Sequence, residues 1–431
     1  VRLAPGTPLD LLLLTDERAE SDKVGRLAMA GGVAQLEWSE EVLATGHALS
    51  PLHYPLESGL HAARSREFGG LHGFLADSLP DAWGTLLLRR RLQRLGHRWE
   101  ELNAVDRLAL VGNRGRGALA FRPATLQAGE GAAGIDLDAL ANEAQRVLLG
   151  EEAELDALLA RLGGGSGGAR PKVHVAIAAD GTLRAGDEGA GEGGAPAAAE
   201  WPEEWPEQWI VKFPALTDPA DIGPVEEAYA RMARAAGIAM AETRLIASAE
   251  GRGHFATRRF DRPGPGRRVH MVSLGGALEA SPHMPSLDYD GFLRAVLTIT
   301  RDVRQLEQAF RRMAFNVLAH NRDDHVRQHA FLMDERGEWH LAPAFDLTFS
   351  HGPGGEHYMA VMGEGRDVTF DHVKELGARH GIKRARIAEI VEEVSAAIVD
   401  WRGWAEAAGV EHSNTPIADA LEARRKHFFG G

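Results

Sequence analysis

"LAHNRDDHVRQHAFL", residues 318–332, crowds two acids, three histidines, an asparagine and a glutamine between apolar ends. Phosphoryl transfer needs a carboxylate near an incoming hydroxyl, followed by oxygen donors that hold a hard cation. Asp323 is the candidate base. Upstream, Leu306, Phe310, Met313, Val317 and Leu318 recur at helical spacing, so the stretch is expected to follow directly on a buried helix. Downstream, "LAPAFDLTFS" sets Asp346 straight after an apolar run, at an expected strand end where a carboxylate could complete a metal site. A lone Asp there is ordinarily a turn or cap residue. Its pairing with the "DDH" run makes it a ligand candidate.

Working outward, "GGGSGGARPK" holds glycines at 163–165, 167 and 168 around Ser166, a run whose backbone N–H groups could approach an anion that a Cβ would block. It has neither the order of a P-loop nor that of a dinucleotide fingerprint, and a flexible linker is the plain alternative. Context favours function. The loop enters an apolar strand, a second strand presents Lys212 in "IVKFP", and Glu226 lies on the next helix. That order resembles a kinase small lobe, with a loop over phosphates, a lysine for their charge and an acid to orient the lysine. The plain alternative for Lys212 is an edge-strand residue whose ammonium reaches water.

The 431 residues, 44% of them hydrophobic, suffice for two or three lobes around substantial cores. No apolar run approaches the roughly 20 residues of a membrane span, and "DLLLLTD" is too short for a signal segment, so a cytoplasmic protein with no membrane partner is expected. Val1 in place of an initiator methionine is read as trimming or processing. With no cysteine, any metal must be held by oxygen or imidazole. A net charge of −14 argues against wholesale nucleic-acid coating. The first residues read as a small sheet; "LPDAWGTLLLRRRLQRLG" and the pair "IDLDALANEAQRVLLG" and "EEAELDALLARL" read as helices, the arginines of the first facing water. Residues 180–207, rich in Gly, Ala, Pro and acids, read as a disordered insertion. Trp401 and Trp404 read as packing residues rather than a binding box.

These motifs together resemble the HipA family, the kinase toxins of HipBA-type toxin–antitoxin modules. The likeness rests on "NRDDHVRQHAFL" followed by "LAPAFDLT", on "LHGFLADSLPDAWGTLLLRRRL" with "DRLALVGNRGRGALAF", on "GGARPK" and "IVKFP", and on "ATRRFDR", in one order over most of the chain. It implies an α+β, two-lobed kinase-like fold, with a small β-rich N-terminal lobe and a larger, mainly α-helical C-terminal lobe. The expected domains are a HipA N-terminal-like subdomain at 1–125, the rest of the small lobe at 126–260 and the helical lobe at 261–431. It also implies a serine/threonine-protein kinase using ATP and Mg²⁺. Known targets of the family are chiefly aminoacyl-tRNA synthetases, and a HipB-like helix-turn-helix antitoxin makes the DNA contact, so that nucleic acid is met only indirectly.

Carried over residue by residue, Asp323 resembles the catalytic aspartate and Asp346 a magnesium ligand. Lys212 resembles the lysine on the ATP phosphates, oriented by Glu226. Phe260, in the strand "ATRRFDR", matches a position near the adenine, with Arg258 close to the segment joining the lobes. Gly167 and Gly168 belong to the ATP-binding loop, and Ser166 is the nearest match to its autophosphorylated serine.

The chain departs from the family at Gln328, where D-x-H-x-x-N has asparagine as a magnesium ligand. One methylene moves the amide oxygen by roughly a C–C bond, while Mg²⁺ demands near-octahedral geometry at about 2.0–2.1 Å. Retained activity is expected. The alternatives are a nucleotide-binding pseudokinase impaired by Gln328, and a metal-dependent hydrolase in which His325 and His329, four residues apart, share a helix face with an aspartate. His325 itself reads as a structural imidazole that hydrogen-bonds its loop.

Overall fold

The computed structural model describes residues 1–4, 6–16, 21–126, 135–163, 168, 170–185, 206–264 and 266–430. The chain divides into two compact units. The first comprises Val1–Leu216, Arg258–Glu279 and Phe331–Trp339, the second Thr217–Thr257, Ala280–Ala330 and His340–Gly431. A single boundary at 260 therefore does not describe the division. The helix before it belongs with the second unit, and two later segments return to the first because they supply strands there.

The first unit opens on strands β1 (Leu9–Leu13), β2 (Asp22–Ala30), β3 (Val33–Trp38), β4 (Leu60–Ala62) and β5 (Leu119–Arg122). They form one antiparallel sheet ordered β4-β3-β2-β1-β5. Gly31 and Gly32, both at positive φ, make the two-residue turn between β2 and β3, a conformation that suits the strand twist and penalises a side chain. Alternate residues of β3 are buried, and Leu9, Leu11, Leu27 and Leu36 are wholly inaccessible. The helix Ala82–Arg94 is capped by the Asp81 carboxylate, which accepts from the Gly84 amide at 2.8 Å.

That helix also holds the strand after the glycine run. Strand β6 (Lys172–Ile177) lies between β7 (Leu183–Ala185) and β8 (Glu207–Lys212), antiparallel to both. The Trp83 indole donates to the Lys172 carbonyl at 3.0 Å, and the buried Lys172 ammonium reaches Asp81 at 3.3 Å. Of the expected insertion at 180–207, residues 183–185 are ordered as β7 because they pair with Val175, Ala176 and Ile177. Residues 186–205 lie outside the described residues, as do Ser166 and Gly167. Strands β11 (His270–Ser273), β12 (Ala330–Met333) and β13 (Trp339–Leu341) make a third sheet in that order.

The second unit is mainly helical, with helices Ile222–Ala235, Tyr289–Thr300, Val303–Leu318, Phe370–Arg379, Arg384–Val399, Trp401–Ala408 and Asn414–Gly430. It also carries the antiparallel hairpin of β9 (Thr243–Ile246) and β10 (His254–Arg258). Helix Val303–Leu318 is the expected buried helix: Leu306, Phe310, Met313, Val317 and Leu318 are all inaccessible or nearly so. Helix Phe370–Arg379 comes close enough to it that a Cβ on Gly377 would stand 2.9 Å from the Phe310 ring and 2.7 Å from Ile387. Tyr229 packs at 5.3 Å on buried Trp401 and donates to the Ala319 carbonyl at 2.8 Å. Trp401 and Trp404 donate to backbone carbonyls, consistent with packing roles.

Candidate active site

Helix Val303–Leu318 ends where His320 turns to φ 54°, a left-handed conformation that stops the helix. The chain then runs beside residues 346–350. The Ser350 amide donates to the His320 carbonyl at 3.0 Å, the Arg322 amide donates to the Ser350 carbonyl at 3.3 Å, and Asn321 forms a bridge with Ser350. This pairing carries the two halves of the expected site, 18 residues apart in sequence, to one place: the Gln328 Nε2 donates to the Asp346 Oδ2 at 2.8 Å. Asp346 sits at φ 57° in irregular backbone two residues beyond an isolated bridge at Ala344, not at a strand end. Aspartate tolerates that conformation better than any β-branched residue.

Asp323 and Asp324 divide their tasks by orientation. The backbone there is irregular, Asp323 is exposed, and Asp324 is wholly buried. Asp324 Oδ2 accepts from the Tyr289 hydroxyl at 2.6 Å and from His357 Nδ1 at 2.9 Å, and Oδ1 accepts from the Tyr358 amide at 2.7 Å. Burial pushes this carboxyl up, but the charge and hydrogen bond of His357, with those of Tyr289 and the Tyr358 backbone, outweigh it and hold it below the usual carboxylate range. The Tyr358 ring stands 5.7 Å edge-on to His325, and its hydroxyl is pushed up, first by partial burial and then by the negative charge of Asp323.

The segment 321–329 is not helical, so His325 and His329 do not share a helix face. His325 Nδ1 accepts from the Arg327 amide at 3.1 Å, the loop-bracing role expected of it. His329 is buried with its ring centroid 4.1 Å from that of Phe292, and burial holds it neutral by pulling its pKa down to about 3. Among the described residues neither histidine belongs to a group of three converging His, Asp or Glu donors. The hydrolase reading loses its ligand set.

The remaining candidates stand elsewhere in the chain. Lys212 is the last residue of β8, half-buried and registered opposite Lys172. Glu226 is buried on helix Ile222–Ala235 of the second unit. Arg258 ends β10 and pairs with Glu207 at 3.2 Å. Phe260 is not in that strand but in the turn after it, half-buried, because Arg259 leaves the strand to bind Asp261 at 2.8 Å. Gly168 has φ 85°, a conformation open to glycine.

The chain carries this arrangement inside two matching family domains: residues 164–402 match the HipA-like C-terminal domain and residues 18–122 the HipA N-terminal domain. The first match alone spans more than half of the chain. The chain belongs to the HipA family. Its fold is similar to that of HipA from Shewanella oneidensis MR-1, solved in a toxin–antitoxin complex with HipB and operator DNA, with a TM-score of 0.69 at 16% identity over 98% of this chain and 97% of that one. This supports an α+β fold of the HipA kind, β-rich in its amino-terminal part and helical in its carboxy-terminal part. A Helicobacter pylori proinflammatory kinase, CtkA, aligns over 52% of this chain and 85% of its own at a TM-score of 0.38 and 14% identity, too low to carry an argument. A comparison with curated protein sequences finds no match.

Sequence reasoning missed two buried members of this loop region, Asp324 and His357. Their partners lie 33 to 35 residues apart, and no local spacing announces such pairs. Nor is there, among the described residues, a helix long and apolar enough to cross a membrane.

Proposed function

We propose that this HipA-family chain is an ATP-dependent serine/threonine-protein kinase that transfers the γ-phosphate of ATP to a serine hydroxyl of a protein substrate. The observation that carries the reading is the Gln328–Asp346 pair at 2.8 Å, formed in the loop that also exposes Asp323 and buries Asp324. Both side chains offer hard oxygen donors, the kind Mg²⁺ takes, and their contact allows one small cation to meet both. The amide oxygen and nitrogen of Gln328 exchange places by a simple flip, so the extra methylene leaves an oxygen able to turn to the metal. The residues fit magnesium.

In this reading Gln328 and Asp346 hold Mg²⁺, which when bound neutralises phosphate charge. Asp323 accepts the proton of the attacking serine hydroxyl as its oxygen bonds the γ-phosphorus, and the bond to the β-phosphate oxygen breaks to release ADP. Lys212 meets the phosphates and Glu226 orients it. Gly167 and Gly168 approach the phosphates through their backbone, and Arg258 and Phe260 meet the nucleotide. Ser166 is the proposed autophosphorylation site. Aminoacyl-tRNA synthetases are the proposed substrate class. A HipB-like antitoxin is the proposed partner, and it would make the operator contact that a chain of net charge −14 does not favour.

The same Gln328–Asp346 hydrogen bond supports a second reading, a nucleotide-binding pseudokinase, because it engages an oxygen a metal would need. Calorimetry of ATP binding with and without Mg²⁺, joined to an ADP-release assay, separates the two. The kinase reading predicts Mg²⁺-dependent binding lost in Asp346→Ala, and Gln328→Asn altering turnover by less than about tenfold. A hundredfold gain in Gln328→Asn would establish the pseudokinase instead.

A further inference from the structure

Asp323 has no helix or strand of its own to hold it; the residue beside it does the holding. Asp324 is wholly buried, and its two oxygens take donors from two separate parts of the second unit and reach a third through one of them. Tyr289, at 2.6 Å, opens the helix Tyr289–Thr300. His357 Nδ1, at 2.9 Å, and the amides of Tyr358, at 2.7 Å, and Met359, at 3.5 Å, belong to the glycine-rich excursion after Asp346. The third part is reached by relay. The Tyr289 hydroxyl accepts from Asn316 Nδ2 at 2.9 Å, on helix Val303–Leu318, and Asn316 Oδ1 accepts from Asn321 Nδ2 at 2.9 Å, back in the loop itself. Asn316 and Asn321 are both nearly inaccessible. The hydrogen bonds thus close a ring: from the loop at Asn321, through two helices, and back to the loop at Asp324.

We propose that Asp324 is a positioning residue: the buried ring Asn321–Asn316–Tyr289–Asp324, with the 357–359 arm, fixes the loop so that Asp323 projects outward at one place. The inference rests on the kinase reading for its catalytic consequence and on geometry alone for the clamp. A buried network whose members are hydrogen-bonded to one another restricts them to one arrangement, whereas one with a donor lost relaxes. Reacting groups misplaced by about 1 Å cost about a hundredfold in rate. The ring also explains why the excursion after Asp346 stays beside the loop: Asp324 binds two of its amides directly, and Tyr358 rests edge-on to His325.

The test uses the full chain with Asp324→Asn, which keeps shape but turns an NH₂ toward donors, and Tyr289→Phe, which removes one hydroxyl and spares the fold if the first variant is too disruptive. Hydrogen exchange is read at the amides of 320–328 and 357–359, with helix Val303–Leu318 as internal reference. Both segments should exchange at least about tenfold faster in the variants while the helix core does not. Equal protection in variants and parent, or uniform loss throughout the unit, overturns the clamp, whether or not the protein transfers phosphate. With Mg-ATP, Asp324→Asn should lower kcat by about a hundredfold and leave the ATP KM within about threefold. A kcat within threefold of the parent, or a parallel rise in KM, overturns the positioning role. A parent that binds ATP and transfers nothing, with exchange accelerated in the variants, sinks the kinase reading and leaves the clamp standing.

Discussion

Each unit buries an aspartate directly beside a candidate functional residue, Asp261 after Phe260 and Asp324 after Asp323, and the two are held by different chemistry. Asp261 lies between two guanidiniums, Arg259 and Arg262, both at 2.8 Å, and accepts from the Gly117 amide at 2.9 Å. Burial pushes its carboxyl up, but those two cations pull it far below the usual range. Asp324 has a hydroxyl, an imidazole and backbone amides. The first is a charge cluster that holds a turn by carrying more positive than negative charge, and the second is a polar clamp built mostly from neutral donors. Charge should therefore dominate stability at Asp261 and geometry should dominate at Asp324.

The largest expected effect is at Asp261. Asp261→Ala strands two buried arginines and should cost about 3–5 kcal/mol, read from the urea midpoint. Asp324→Asn strands donors that are mostly neutral and should cost less, about 1.5–3 kcal/mol. Equal losses at the two positions would break the contrast.

Acid sharpens it further. His270 in the first unit and His329 in the second are both buried, and burial lowers them to about 4 and about 3. An unfolded histidine takes up its proton near pH 6.5, so the stability each contributes is present above that pH and is lost as pH falls from about 6.5 toward the folded value. The lowered carboxyls of Asp261 and Asp324 keep their stabilisation above about pH 4 and lose it only below. Stability measured against urea should thus begin to fall near pH 6.5, by up to about 1.4 kcal/mol per pH unit for each such histidine. A flat profile down to pH 4.5 would contradict this.

The smallest effect separates the two histidines. His270 Nε2 binds the Leu49 carbonyl at 2.8 Å, whereas among the described residues neither nitrogen of His329 finds a hydrogen-bond partner. His329→Leu should then cost less than about 1.5 kcal/mol at pH 7 and make the acid slope shallower.

What the sequence made legible follows the same line between local and distant. The buried helix Val303–Leu318 could be read because five apolar residues keep one spacing, and the meeting of Gln328 with Asp346 because both lie on one short stretch of chain. Yet the same helix also buries Arg311 and Arg312, which donate to the Ala236 and Ala342 carbonyls at 2.8 and 2.6 Å. No reading of charge would place them inside. The sequence extends strand β10 through Phe260, whereas it ends at Arg258, since the strand-breaking partner, Asp261, looks like any turn acid until Gly117 is brought to it. Asp324, next to Asp323 in the sequence, carries no local mark of its burial for the same reason. Its meaning depends on Tyr289 and His357, which only the folded second unit brings to it.

The central claim, that Asp323 works as the base of a phosphoryl transfer in this loop, is tested most directly by incubating the protein with Mg-ATP and weighing it by mass spectrometry beside Asp323→Ala. The account predicts added phosphate on a serine of the parent and none on the variant. Phosphate on both, or on neither while ATP binds both, would contradict it.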